Sequence, residues 1–246
     1  MSAKLRAWRR IASVALLMLA CLPLHGLWRL ARLPSPWPRR FLGTAAWIAG
    51  AEVRVAGRPL SRDVLYVANH LSWLDILLIG GATNSRFVAK DEVRQWPLIG
   101  WLASLHATVH VARTERGRVH EQADRVRSAL AEGLPVTLFP EGGTGHGHHV
   151  GPFRASLMEA LLPPQPGMRL QPLAIDYEDA PLVAWEGDLS VGAEAMRLLG
   201  LPGRRRVTLH FLDPIDPVAL PDRKALTHAA REAIRQALCE DDAQPV

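Results

Sequence analysis

The stretch Val64-Leu-Tyr-Val-Ala-Asn-His-Leu-Ser-Trp-Leu-Asp75 decides how the rest of the chain is interpreted. Its first five residues form an apolar run, which is typical of a buried strand that ends at Ala68. Helical spacing of apolar residues begins at Ser72, so Asn69 and His70 lie where a strand passes into a helix. Open α/β sheets bind their ligands at such strand ends. The stretch therefore predicts an α/β protein with a functional site at this turn.

Two side chains of this stretch, His70 and Asp75, are suited to proton removal from a hydroxyl or amine. An imidazole titrates near neutrality, so it can be unprotonated at rest and accept a proton in the transition state. With Asp75 in the first helical turn, its carboxylate can reach the imidazole and fix its tautomer. Ser72 and Asp75 also have the form of a capping box, which would satisfy backbone donors without any catalysis. Both interpretations stay open, although a capping box does not account for the Asn-His pair.

The length is sufficient for one large domain or two small ones, and a single α/β domain of this length is ordinary. The chain has 246 residues, and 48% of them are hydrophobic, which is sufficient for a full core. Its two cysteines, Cys21 and Cys239, lie far from each other and from His70. This argues against a disulfide scaffold, a zinc ribbon and a cysteine nucleophile. The net charge of +5 favours nucleic acid, anionic lipid or an acidic small substrate as a partner.

The N-terminal fifth has the composition of a membrane-binding segment. It holds four of the eight tryptophans, interleaved with arginines around apolar runs, which is typical of a membrane interface rather than a nucleic-acid groove. Residues 11–27 are apolar but marginal in length for a bilayer span, and a cleaved signal peptide is the competing interpretation. Cations on both flanks favour the cytoplasmic side. We expect residues 1–50 to form membrane-anchoring or interfacial helices at the cytoplasmic face of the cell membrane, followed by one domain over residues 51–246.

Periodicity predicts alternating strands and helices through that domain. We expect an α/β fold, with a central mostly parallel mixed sheet flanked by helices and an N-terminal membrane-associated helical segment. The predicted strands cover residues 53–55, 63–68, 86–90, 108–112, 135–139, 169–176 and 207–212. The predicted helices cover residues 39–51, 72–79, 117–132 and 222–238, with two short helical pieces within 91–105.

A glycine-rich loop, Pro140-Glu-Gly-Gly-Thr-Gly-His-Gly-His-His149, follows the strand at 135–139. Its glycines would let backbone amides approach an anion closely, and Arg154 opens the following helix. A glycine-rich loop after a strand is also commonly only a turn. The loop histidines have no carboxylate at ligand spacing, so we predict no metal site.

Three of these stretches, in this order, resemble the glycerolipid acyltransferases of phospholipid synthesis, the lysophosphatidate acyltransferase group. The family's N-H-x-x-x-x-D block is present whole at Asn69–Asp75, and its F-P-E-G block at Phe139–Gly142. Its G-x-x-x-I-x-R block is matched loosely by Ala107–Arg113, and further likeness lies at Phe87–Lys90 and around Pro172. The ordered combination is more specific than any single motif.

The resemblance implies a reaction and a site. His70, oriented by Asp75, would remove the proton from the free hydroxyl of a lysolipid, which attacks an acyl thioester directly without a covalent acyl-enzyme. Arg113, Glu141 and Gly142 would hold the polar head of the acceptor. The implied acceptor is 1-acyl-sn-glycerol-3-phosphate, giving phosphatidic acid, with acyl-CoA or acyl-carrier protein as co-substrate. The partners would be a membrane lipid and the membrane surface, with no cofactor, no metal and no nucleic acid.

One departure from the family affects the acceptor. The common continuation E-G-T-R-S carries an arginine associated with the substrate phosphate, but residues 141–146 read Glu-Gly-Gly-Thr-Gly-His. Such a variant is also similar to lyso-ornithine lipid acyltransferases, whose acceptor is an alternative. Outside the enzyme class, the alternative is a non-catalytic lipid-binding membrane protein.

Overall fold

The structure is a computed structural model that describes residues 2–90, 109–111, 119–145, 149–163, 167–185 and 189–241. The strands of the described ranges are β1 Ala51–Gly57, β2 Val64–Ala68, β3 Arg86–Lys90, β4 Val109–Val111, β5 Val136–Leu138, β6 Arg169–Tyr177 and β7 Arg205–Phe211. The α-helices are α1 Ala3–Leu30, α2 Trp37–Ala49, α3 Leu74–Thr83, α4 Val119–Ala131, α5 Ala180–Val183, α6 Val191–Gly200 and α7 Arg223–Asp241. Short 3-10 helices cover Ala155–Leu161 and Pro217–Ala219.

The strands form one sheet in the order β1-β7-β6-β2-β5-β3-β4. Every neighbouring pair is parallel except β6 and β7, which are antiparallel. The prediction of a mostly parallel mixed sheet flanked by helices is confirmed. The predicted helical pieces within residues 91–105 lie outside the described residues.

Strand β2 lies at the centre of the sheet, and all five of its residues are buried. Because side chains alternate along a strand, Val64, Tyr66 and Ala68 pack into the core on one face and Leu65 and Val67 into the core on the other. A strand covered on both faces reads as a continuous apolar run. This burial fixes the end of β2, and therefore the position of His70.

The boundary between α2 and β1 differs from the prediction. We expected a helix to residue 51, but α2 ends at Ala49, and Gly50 adopts a left-handed conformation with φ 103°. A left-handed glycine closes a helix because it satisfies the last carbonyls without a Cβ penalty. The chain enters β1 immediately afterwards, so this strand begins earlier than predicted.

Helices α1 and α2 are both tied to the domain that follows. Near the start of α1, Arg10 donates to the carbonyls of Leu199 and Leu201 at the end of α6, over 3.1 Å each. Near the other end, the rings of Trp28 and Trp37 meet edge to face, with their centroids 6.0 Å apart. By length and composition α1 can cross a membrane, and the rest of the protein covers almost none of its most apolar stretch.

Candidate active site

His70 and Asp75 lie together at the carboxyl end of β2. The Nδ1 atom of His70 is 2.8 Å from the Oδ2 atom of Asp75. The histidine side chain is 18% exposed, whereas the Asp75 side chain is fully buried. The structure therefore brings together the two side chains that the sequence predicted to form a base and its orienting acid.

The Asp75 carboxylate also satisfies backbone donors before α3, as the capping-box interpretation predicted. Its Oδ2 atom accepts hydrogen bonds from the backbone amides of Leu71 at 2.8 Å and Ser72 at 2.9 Å. These contacts fix the turn that carries His70. The two interpretations left open by the sequence are therefore compatible, because one oxygen serves both the backbone and the imidazole.

Tyr177 supplies a further donor that sequence reasoning missed. Its hydroxyl donates to the Oδ1 atom of Asp75 over 2.7 Å. Burial, together with the charge of Asp75, raises the pKa of Tyr177 well above its usual value, so the phenol stays protonated and acts as a donor. Tyr177 ends β6, 102 positions from Asp75. The sequence held no local signal for this contact, because only the packing of β6 beside β2 produces it.

Asn69 has a structural contact that accounts for it. Its side-chain amide donates to the carbonyl of Ile175 at 3.0 Å, and its side-chain oxygen accepts from the Ile175 amide at 2.8 Å. The side chain thus continues the pairing of β2 with β6 by one step beyond the end of the strand. This fixes the point at which the chain turns toward His70.

Glu141 joins the glycine-rich loop to the same turn. Its Oε1 atom accepts from the amide of His70 at 3.0 Å, and its Oε2 atom accepts from the amide of Gly151 at 3.1 Å. The amide of Gly145 donates to the carbonyl of His70 at 2.6 Å, so both sides of the histidine backbone are held. Burial raises the pKa of the Glu141 carboxyl, although the two backbone hydrogen bonds partly oppose this. Glu141 therefore positions His70, and its predicted contact with the acceptor's head stays a prediction.

The imidazole of His70 stacks on Phe139, with centroids 4.1 Å apart and ring planes 19° from parallel. Stacking fixes the plane of the ring, and the hydrogen bond to Asp75 fixes the orientation of the ring within that plane. Because Nδ1 faces the carboxylate, Nε2 is the nitrogen positioned to accept a proton from another molecule. The arrangement can therefore act as a general base toward a hydroxyl group.

Gly142 adopts a left-handed backbone conformation with φ 85°, and it lies against the guanidinium of Arg154. The predicted substrate-binding residue Arg113 lies outside the described residues, as do His146 and His148 of the loop. Among the residues that the structure describes, no cluster of three or more histidine, cysteine or acidic side chains could hold a metal ion.

Known proteins resemble this chain along most of its length. Residues 52–176 match the model of the protein family described as Acyltransferase. The lyso-ornithine lipid O-acyltransferase of Rhodobacter capsulatus is 32% identical over 93% of this chain and 88% of its own length. That of Pseudomonas aeruginosa is 36% identical over 86% of this chain and 77% of its own length. The 1-acyl-sn-glycerol-3-phosphate acyltransferase of Neisseria meningitidis is 30% identical over 80% of this chain and 78% of its own length.

The fold is also found in a solved structure. The crystal structure of the 1-acyl-sn-glycerophosphate acyltransferase PlsC from Thermotoga maritima superimposes with a TM-score of 0.66. The alignment covers 96% of this chain and 99% of that one, at 22% sequence identity. This likeness confirms the predicted architecture of a central sheet flanked by helices.

Proposed function

This chain belongs to the acyltransferase family, and from that membership we propose that it moves a fatty acyl group from an acyl thioester to the free hydroxyl of a lysolipid. The observation that carries the proposal is the His70–Asp75 pair at the end of the central strand. The fully buried acid orients a partly exposed imidazole, which is the arrangement that general-base catalysis needs.

In the proposed reaction the Nε2 atom of His70 takes the proton of the lysolipid hydroxyl while the hydroxyl oxygen attacks the thioester carbonyl. The C–S bond then breaks, and the leaving thiolate takes up the proton from the imidazolium. Asp75 stays ionised throughout and stabilises the imidazolium that forms between these steps. Backbone amides of the loop near Gly142, whose own amide donates to the carbonyl of Phe139 at 3.4 Å, are the proposed donors to the carbonyl oxygen as it becomes negatively charged. The thioester is one of coenzyme A or acyl-carrier protein, and no other cofactor is required.

For the acceptor, we propose lyso-ornithine lipid first. Relatives of that name match 86% and 93% of this chain, and the glycine-rich loop lacks the arginine that the resemblance associates with a phosphate. The second candidate is 1-acyl-sn-glycerol-3-phosphate, which is favoured by the relative from Neisseria meningitidis. Arg113 is the proposed contact to the head of either acceptor.

The helices α1 and α2, together with the lipid-modifying relatives, indicate membrane association. Leu16 and Leu19 of α1 are each 68% exposed, which leaves an apolar surface for lipid. We propose that residues 1–50 anchor the acyltransferase domain, residues 51–246, at the cytoplasmic face of the cell membrane. The contacts of Arg10 with the end of α6 support retention of this segment rather than its removal as a signal peptide.

The test is release of free thiol from an acyl thioester. Purified protein is supplied with acyl-carrier protein or coenzyme A thioester and either lyso-ornithine lipid or 1-acyl-sn-glycerol-3-phosphate. We expect acceptor-dependent thiol release, and a loss of at least about a thousandfold in the His70→Ala variant. Tight lysolipid binding without thioester consumption would instead identify a non-catalytic lipid-binding protein.

A further inference from the structure

Arg154 lies against the glycine-rich loop at Gly142. A Cβ atom added to this glycine would lie 3.1 Å from the Cζ atom of Arg154 and 3.2 Å from its Nε atom. The backbone at Gly142 also has φ 85°, a region that side chains rarely adopt. Glycine at this position therefore permits the guanidinium to lie directly on the loop backbone.

The backbone of Arg154 is fixed to the same loop. Its amide donates to the carbonyl of Pro140 at 2.9 Å, and the amide of Gly151, three residues earlier, donates to Glu141 at 3.1 Å. Glu141 in turn accepts from the amide of His70. The guanidinium is thus held beside the residue that follows Glu141, within the segment that positions the proposed base.

The charge of Arg154 is not neutralised by the part of the protein that the structure describes. The side chain is exposed, and no carboxylate in the described ranges forms an ion pair with it. By contrast, Arg223 pairs with Glu159. A Cβ atom at Gly143, the next residue of the loop, would meet nothing within 4 Å, so the loop borders open space here.

From this geometry we propose that Arg154 binds the anionic group of the acyl acceptor, a carboxylate or a phosphate. Its planar fork of donors matches both groups. It supplies beside Gly142 the positive charge that residues 141–146 do not carry. The inference rests on the proposed function and assigns Arg154 to recognition of the acceptor rather than to chemistry at the hydroxyl.

Steady-state kinetics distinguish a role of Arg154 in acceptor binding from roles in thioester binding, in catalysis or in folding. The variants are Arg154→Gln, Arg154→Lys and, as a matched control, Arg206→Gln, an exposed arginine on β7 with a 3.7 Å contact to Glu178. Each is assayed in uncharged detergent micelles, with the acceptor and the thioester varied separately. Lyso-ornithine lipid and 1-acyl-sn-glycerol-3-phosphate are used in parallel, so that carboxylate and phosphate recognition are distinguished.

We expect Arg154→Gln to raise KM for the preferred acceptor about ten- to a hundredfold, the range for loss of a charged hydrogen-bonded contact. KM for the thioester and kcat should change less than about threefold, because the base and its acid are untouched. Arg154→Lys should lie between the parent and Arg154→Gln, and Arg206→Gln should match the parent. The thermal midpoint of each variant reports folding.

An unchanged acceptor KM, a rise in the thioester KM instead, or a fall in kcat that follows a lowered thermal midpoint would each overturn the inference. The lysine variant keeps a charge on the loop, so it remains informative if the glutamine variant unfolds. A parent protein that releases no thiol with either acceptor would contradict the proposed function itself. That outcome is distinguishable from an active parent whose acceptor KM does not depend on Arg154.

Discussion

Replacing Tyr177 with phenylalanine removes one donor from the Asp75 carboxylate and leaves the aromatic ring in place. The carboxylate then keeps three of its four donors, namely the imidazole of His70 and the amides of Leu71 and Ser72. The ring of Tyr177 is fully buried. The substitution therefore tests the hydroxyl alone.

The expected size of the effect follows from the hydrogen bond between the Tyr177 hydroxyl and the Asp75 carboxylate. A buried hydrogen bond to a charged group contributes about 1.5–3 kcal/mol to stability. The hydroxyl of Tyr177 donates to Asp75 both before and during the proposed proton transfer, so most of this loss falls equally on the ground and transition states. The rate of acyl transfer should fall only because the carboxylate is held less firmly against the imidazole of His70. We therefore expect kcat to fall about three- to tenfold, with KM unchanged.

The assay is thiol release at saturating acceptor, together with thermal unfolding, and Tyr66→Phe is the matched control. Tyr66 is equally buried, and its hydroxyl donates to the backbone carbonyl of Leu60, remote from Asp75 in the hydrogen-bond network. Its loss should lower stability and leave kcat unchanged. In an Asp75→Asn background, Tyr177→Phe should have no further effect on kcat, because the carboxylate through which it acts is gone.

The reasoning would be refuted by a folded Tyr177→Phe variant with parental kcat. Equal losses of kcat in the two tyrosine variants would also refute it, since that result would trace the effect to general destabilisation. A Tyr177→Phe effect that persists in full in the Asp75→Asn background would show that the hydroxyl acts elsewhere.

Three further predictions concern Glu141, His70 and the contact between α2 and α3. Burial raises the pKa of Glu141, so between its pKa in the unfolded chain and its higher pKa in the fold the folded protein binds the extra proton, and stability falls as pH rises through that window. Thermal midpoints of the parent and of Glu141→Gln are therefore compared from pH ~4 to ~7. As pH rises, the midpoint of the parent should fall relative to that of Glu141→Gln, and a difference that stays constant with pH would contradict this. His70→Ala removes a hydrogen bond from Asp75, so it should lower the thermal midpoint while the protein stays folded and loses thiol release; near-normal turnover would exclude its role as the base. A Cβ at Gly81 of α3 would lie 2.5 Å from the Cα of Gly43 in α2, so Gly81→Ala should lower the free energy of unfolding by about 1–3 kcal/mol. A Cβ at Gly192 of α6 would meet nothing within 4 Å, so Gly192→Ala should not lower it. Equal thermal midpoints for the two variants would reject the close contact between α2 and α3.

Contacts close in sequence were predictable. His70 and Asp75 are five positions apart, and the change from strand to helix periodicity between them was enough to bring the carboxylate to the imidazole. The end of α4 at Ala131, before the positive-φ Gly133, was signalled in the same local way. Interactions of this kind depend on periodicity and turn chemistry, which a short stretch of sequence contains.

Contacts distant in sequence were not predictable from the residues alone. Glu141 lies 71 positions from His70, and Tyr177 lies 102 positions from Asp75. They meet only because β5 and β6 both pair with β2, which brings the carboxyl ends of three strands to one edge. The F-P-E-G likeness indicated that Glu141 was important, but its hydrogen bonds to two backbone amides required the folded loop.

By itself, the sequence determined the α/β class, the apolar N-terminal helix, the acyltransferase family and the paired imidazole and carboxylate, because each depends on short-range patterns. Only the tertiary structure decided the strand order, the donors around Asp75 and the placement of Arg154 on the loop. The physical reason is that side-chain alternation specifies which face of a strand is buried, whereas the choice of neighbouring strand depends on how the whole core packs. The polar contacts at the end of β2 follow from that choice.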